Sequence, residues 1–280
     1  MNGKHEAEVL AGERFKFGAN WIHFLEELDE CRIAEAIASL SGMLGVSSLT
    51  GLTFLDVGSG SGLSSLAARR LGAQVHSFDY DPHSVACTTE LRRRYSPEDP
   101  QWVVEEGSVL DLEYLARLGK FDVVYSWGVL HHTGSMWLAA GNVASLVREG
   151  SGKLYIAIYN DQGRASRMWK KVKKAYCSLP VPIAPVLLLL AFLRLWGPTL
   201  ARDLLRGTPL KTWGLHERGM SPWRDVVDWV GGYPFEVAKP EDIFDYYQEK
   251  GFNLRRLKTC GGGLGCNEFV FSRPLHAYLS

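Results

Sequence analysis

Three sets of side chains stand out for the chemistry they offer. Asp79 closes a short β-prone run about twenty residues beyond the alternating glycines Gly58, Gly60 and Gly62. An acidic group at that distance, at the end of the next strand, is the double acceptor that the two hydroxyls of a ribose need. The glycines carry no Cβ, so a ligand can touch bare backbone between them. His131 and His132 are adjacent, just past the apolar run 121–127. Imidazole titrates near neutrality and suits proton removal from a hydroxyl. Together these groups would bind a nucleoside and activate an acceptor oxygen.

Particular elements must position them. Residues 53–62 read Thr-Phe-Leu-Asp-Val-Gly-Ser-Gly-Ser-Gly, and a helical pattern (Leu63, Leu66, Ala67, Leu71) follows. That is a strand, a tight turn and a helix N-terminus. Further strands are expected at 74–78, 102–105, 121–127 and 153–159, with helices between them, which makes a parallel, doubly wound sheet. Asp81 and Pro82 have the N-cap and first-turn chemistry of a helix start. Both readings of Asp111 stay open: a polar group in the loop after the third strand, or the cap of a helix over 112–118. Upstream, Trp21, Phe24, Leu25, Leu28, Ile33, Ala36, Ile37, Leu40 and Leu44 recur at helical spacing, so one helix is expected from Trp21 onward. Phe15, Phe17 and Asn20 precede or adjoin it, either as a staple to the core or as part of a segment closing over the ligand.

Alternation breaks after residue 159. Residues 160–239 hold basic, aromatic and apolar helical pieces, read as a mostly helical insert. Pro240 starts another helix, Gly251 stops it, and 252–257 and 267–272 form an antiparallel pair around a glycine-rich loop. The chain has 280 residues, 46% of them hydrophobic, enough for one large domain with an insert. Its 31 Lys and Arg balance 31 Asp and Glu, so nothing global recruits nucleic acid or an anionic membrane. Five scattered cysteines without a CxxC pair suit reduced thiols, not a disulfide frame or a metal site. The N-terminus lacks the order of a signal peptide, and the expected location is cytoplasmic.

The segment from Asp56 through Gly58, Gly60 and Gly62 resembles the glycine-rich signature of class I S-adenosylmethionine-dependent methyltransferases. Asp79, the loop 108–111 and the strand and loop 121–132 fall at that family's intervals. The look is nearest to the ubiquinone O-methyltransferase type, in which a similar His-His follows the fourth strand. This resemblance implies a Rossmann-like, seven-stranded sheet, mainly parallel with a terminal antiparallel strand. It implies a division into an N-terminal helical segment (1–48), a core (49–159), an insert or lid (160–239) and a closing helix and strand pair (240–280). It further implies S-adenosylmethionine as cofactor, S-adenosylhomocysteine as product and no metal. The expected cofactor residues are Phe17, Trp21, Asp56, Gly58, Ser59, Gly60, Gly62, Asp79, Tyr80, Ser108, Val109, Leu110 and Trp127. A dinucleotide-binding dehydrogenase would need a small residue where Leu63 stands, so the wide turn argues against it.

Methyl transfer needs positioning and water exclusion more than it needs a metal. His131 or His132 is the expected general base, with loop structure as the plain alternative for both. The insert leaves the fifth strand at the ligand edge, so Asn160, Arg218, Tyr233, Glu236 and Asn267 are the expected substrate contacts. The apolar run 181–196 is too short for a membrane span and follows Lys170, Lys171, Lys173 and Lys174. Three roles stay open for it: a buried helix under the lid, peripheral membrane contact, or a homodimer surface. The expected acceptor is a small molecule, a quinone-like phenol or natural-product hydroxyl. The alternatives are a sugar or amine acceptor, or a silent cofactor-binding scaffold. The Pro-Pro signature of amino-group DNA methylation is absent after the fourth strand, so no nucleic-acid partner is expected.

Overall fold

The computed structural model describes residues 2–18, 21, 24–25, 28–179, 183–208 and 222–275. Strand β1 (Thr53–Val57) leads through the glycine turn into α3 (Leu63–Arg70), following α1 (Asn2–Leu10) and α2 (Glu30–Leu44). Then come β2 (Gln74–Asp79), α4 (Pro82–Tyr95), β3 (Trp102–Glu106), α5 (Leu112–Leu118), β4 (Val123–Trp127), α6 (Met136–Ser145) and β5 (Lys153–Tyr159). The insert contributes α7 (Arg164–Ser178), α8 (Ala184–Leu205) and α9 (Pro222–Gly231). Helix α10 (Pro240–Glu249), β6 (Asn253–Lys258) and β7 (Cys266–Ser272) close the chain.

The seven strands lie in the order β3-β2-β1-β4-β5-β7-β6. Strands β1 to β5 are mutually parallel, while β7 runs antiparallel between β5 and β6. The chain moves outward from β1 to β3 and then returns to pair β4 against β1. This places a topological switch point at the carboxyl end of β1, where ligands of open α/β sheets bind.

Strict alternation along the strands sorts side chains to two cores. Leu55, Val57, Val124, Leu154, Ile156 and Ile158 face α5, α6 and α10. Phe54, Val123, Tyr155 and Val270 face α2, α3 and α4. The insert builds a third, smaller core from Trp169, Leu188, Ala191, Val226, Val230 and Phe235.

Local chemistry moves several expected boundaries. The long N-terminal helix is interrupted: Leu28 and Asp29 are not helical, and Asp29 caps α2 by accepting from the Arg32 N–H at 2.8 Å. Hydrophobic spacing continues across the break because both pieces pack on the same core. Phe121 stands outside β4 and makes an isolated bridge to Val147. Asp111 caps α5, accepting from the Tyr114 N–H at 3.0 Å, so its carboxylate serves the helix. From Ala184 onward the apolar run belongs to a longer helix, since α8 continues to Leu205 and has the length and hydropathy to cross a membrane. Its outer face is exposed, so the buried-helix reading does not hold. Asn20, Arg218 and the stretch 213–218 lie outside the described residues.

Candidate active site

The glycine turn is shaped by left-handed backbone. Gly58 and Gly60 have φ of 80° and 54°, which side chains with a Cβ rarely adopt. A Cβ on Gly58 would meet the Val129 side chain at 2.5 Å. The N–H groups of Gly58 and Ser59 both donate to the Phe78 carbonyl, tying the turn to β2. The Ser59 hydroxyl bonds to that of Thr88 at 2.9 Å, and Gly62 caps α3.

Asp79 ends β2 beside this turn. One carboxylate oxygen accepts from Gly60 N–H at 2.9 Å, the other from Asp81 N–H at 2.9 Å. Burial nevertheless pushes its pKa up to about 6. The Trp21 indole covers the turn, because a Cβ on Gly60 would lie 3.3 Å from that ring. Bare backbone, a carboxylate and a flat aromatic wall therefore converge, and a nucleoside fits this set: the ring for its base, the carboxylate for its ribose.

Asp56 occupies a different place from the expected one. It is 2% exposed beneath the turn, accepting from Ser65 in a chain that runs from the Trp102 indole through Ser77 and Ser65. Burial pushes its pKa up to about 7. Its carboxylate supports the turn from below. The loop after β3 lies beside Asp79, whose carbonyl accepts from Gly107 N–H at 3.0 Å. In that loop Ser108 receives the Leu110 N–H and Val109 is buried, its carbonyl accepting from Asn142. Trp127, at the end of β4, packs partly buried on the α2–α4 side of the sheet. The Tyr80 hydroxyl donates to Glu8, and its ring lies under the Arg14 guanidinium, so this side chain belongs to the contact with α1.

The N-terminal segment lies across the site. Gly18 N–H donates to Asp81 at 2.8 Å, Phe15 N–H to the Tyr233 carbonyl at 2.9 Å, and Arg14 to the His132 carbonyl at 3.0 Å. Phe17 stands 5.0 Å from the His132 ring, centroid to centroid. This segment thus touches the cofactor edge, the histidine turn and the insert at once.

The two histidines occupy the turn Leu130–His132 with opposite hydrogen-bonding roles. His131 is fully buried, and its Nδ1 accepts from the Tyr159 N–H at 3.3 Å while Nε2 has no partner among the described residues. His132 places Nδ1 2.7 Å from the Pro234 carbonyl. A carbonyl only accepts, so that nitrogen carries the proton and Nε2 keeps its lone pair, an assignment made from the network. Burial lowers both pKa values, reinforced for His131 by His132 and then Lys173, and for His132 by Lys173; His132 is held down to about 3. Both rings are therefore neutral near pH 7.

Lys173 was not among the expected site residues. It is fully buried, donates to the Trp229 carbonyl, and stands 4.1 Å over the Trp229 ring and 4.6 Å over Phe235. Burial brings its pKa down to about 7. The spacing of Ser166, Trp169 and Lys173 puts it on the inner face of α7, apart from its exposed neighbours Lys170, Lys171 and Lys174. Its place in a basic run hid it, although the helical period carried the signal. Gly232 lets the groups approach: a Cβ there would be 2.9 Å from His132 Cε1 and 3.5 Å from Lys173 Nζ.

The expected substrate contacts separate into two places. Tyr233 and Glu236 line a cavity of about 580 Å3 with Arg14, Glu8, Lys170 and Lys174. Glu236 also accepts the Met136 N–H at 2.9 Å, supplying the cap that Ser135 does not give α6. Asn160 and Asn267 line another depression, of about 600 Å3, and hold each other at 3.1 Å while pinning the loop around Cys260 and Gly263. Their amides serve that loop. Among the described residues, no group of three or more His, Cys, Asp or Glu is placed to hold a metal ion.

Residues 55–152 match a family described as a methyltransferase domain. A ubiquinone biosynthesis O-methyltransferase of Xanthomonas euvesicatoria is 36% identical over 114 residues, covering 40% of this chain and 45% of that protein. A ribosomal protein L11 methyltransferase of Methylococcus capsulatus is 38% identical over 71 residues, 25% of this chain and 24% of the other. The chain thus spans less than half the length of these curated relatives. Among solved structures, magnesium protoporphyrin IX methyltransferase from Synechocystis, with S-adenosylhomocysteine bound, superposes with a TM-score of 0.51 at 16% identity. That match covers 86% of this chain and 83% of that one, and it speaks to fold alone. Ubiquinone biosynthesis, a ribosomal protein and a magnesium protoporphyrin appear in these names, so likeness in the core does not specify an acceptor.

Proposed function

We propose that this chain, whose residues 55–152 match a methyltransferase domain, is a class I S-adenosylmethionine-dependent methyltransferase that methylates a hydroxyl of a small ring-containing acceptor, quinone-like or of the natural-product type. The observation that carries the reading is His132. Its Nδ1–H is committed to the Pro234 carbonyl, so Nε2 presents a lone pair beside Phe17 and the insert.

S-adenosylmethionine, once bound, supplies a methyl group on a sulfonium that is already a good leaving group. Asp79 would hold the ribose hydroxyls, Gly58 to Gly60 the tail along bare backbone, and Trp21 the flat face. His132 would receive the acceptor's hydroxyl hydrogen bond and take its proton as the oxygen becomes bonded to carbon. Burial, and after it the Lys173 charge, keep the His132 ring neutral beforehand, and the proton it takes would leave to solvent when the product does. The N-terminal segment and the insert meet over these groups and would exclude water from them.

The charged cavity beside Tyr233 favours a second reading, a polar acceptor held by Arg14, Lys170 and Lys174. Methyl-labelled cofactor offered with a panel of catechols, hydroxyquinols, sugars and amines tests both. His132→Gln should lower kcat roughly 100-fold or more, with cofactor affinity little changed. Methylation confined to nitrogen or carbon, or full activity in His132→Gln, would overturn the hydroxyl reading.

A further inference from the structure

Helix α8 leaves a row of large apolar side chains in solvent. Val186, Leu189, Leu190 and Leu193 are 57%, 51%, 59% and 54% exposed and fall at i, i+3, i+4 and i+7, one stripe along one face. The opposite face is committed, because Leu188 and Ala191 are buried in the insert core with Val226 and Val230 of α9. Monomeric proteins rarely leave such a stripe uncovered.

The charge of the two insert helices α7 and α8 points to what covers it. Residues 164–206 hold nine of the chain's Lys and Arg and one of its Asp and Glu, a surplus of eight in a chain of zero net charge. Lys173 and that single acid, Asp203, are both buried. Arg164, Arg167, Lys170, Lys171, Lys174, Arg194, Arg202 and Arg206 are exposed, and none forms an ion pair with a described carboxylate. A second copy seated symmetrically on this face would bring two such surpluses together. Nucleic acid would match the charge and leave the leucines uncovered. An anionic lipid surface satisfies both, with leucines among the acyl chains and cations at the headgroups.

We propose that α7 and α8 form an interfacial membrane-docking surface specific for anionic bilayers. The helix lies in the interface plane and does not span. Arg194 interrupts its apolar length, Pro198 lies inside it, and its inner face is packed on α9. The inference goes beyond the proposed reaction and does not depend on which acceptor is methylated.

Flotation of the full chain with vesicles tests it. Vesicles of phosphatidylcholine with one-third phosphatidylglycerol should carry the protein upward, while pure phosphatidylcholine should carry at least tenfold less. Leu189→Ser with Leu190→Ser should abolish flotation, and Arg167→Gln, Lys171→Gln and Arg194→Gln together should weaken it about 100-fold, at roughly fivefold per cation. All five positions are exposed, and circular dichroism melts establish that each variant is folded. No flotation of the wild type, flotation unaffected by the leucine changes, or resistance to extraction at alkaline pH would overturn the proposal. So would a wild-type dimer in sedimentation velocity that Leu189→Ser with Leu190→Ser converts to monomer.

Discussion

Replacing Asp79 with Ala removes the acceptor that joins β2 to the glycine turn. Two interactions are lost in the free protein, from Gly60 N–H and Asp81 N–H, both at 2.9 Å. Each is a hydrogen bond to a charged group, worth about 1.5–3 kcal/mol, though the half-buried Gly60 can turn its donor to water once the carboxylate is gone. The fold should therefore survive with a modest loss of stability. Binding should suffer more. A ribose that offers two hydroxyls to this carboxylate would lose about 3–6 kcal/mol, a Kd higher by roughly 10²–10⁴. Calorimetric titration with S-adenosylhomocysteine measures this directly, with the thermal melt as a check of folding. The pH dependence is a second signature. Burial raises the Asp79 pKa to about 6, and the ionised form is the better acceptor, so wild-type affinity should fall as pH drops through about 6. A folded Asp79→Ala protein that binds within about threefold of wild type would refute the cofactor assignment.

Two further expectations separate support from contact. Asp56→Asn keeps the acceptor for Ser65 and should leave S-adenosylhomocysteine affinity nearly unchanged. Because burial raises the Asp56 pKa to about 7, its stabilising contribution is full below about pH 4 and is lost as pH rises through 7. Thermal melts should show wild type losing stability relative to Asp56→Asn across that window. Lys173 behaves in the opposite sense. Its folded pKa of about 7 lies below the free value of 10.5, so the unfolded chain binds more protons between those limits and wild type should gain stability as pH rises through them. Lys173→Met should remove that slope in melts taken from pH 7 to 10.

The turn and the residues around it were legible because the rules that make them are local. An apolar strand, glycines where the backbone must be left-handed, and an acid at the next strand's end are read within thirty residues. The near-continuous apolar runs 121–127 and 153–159 likewise report burial on both sheet faces. The break at Asp29 was locally encoded as well, since that residue is a good cap, yet hydrophobic spacing ran across it and masked the signal.

What only the tertiary structure decided concerns groups whose partners are far away in the chain. The roles of the two histidine rings follow from Pro234 and Tyr159, 102 and 28 residues distant. Lys173 looked like one cation in a solvated run until α7 turned it toward Trp229 and Phe235. The stripe on α8 has the composition of a buried helix, and its exposure depends on which neighbours pack beside it. Sequence period states which residues share a face. Whether that face meets protein, lipid or water is determined by long-range packing, which no local pattern contains.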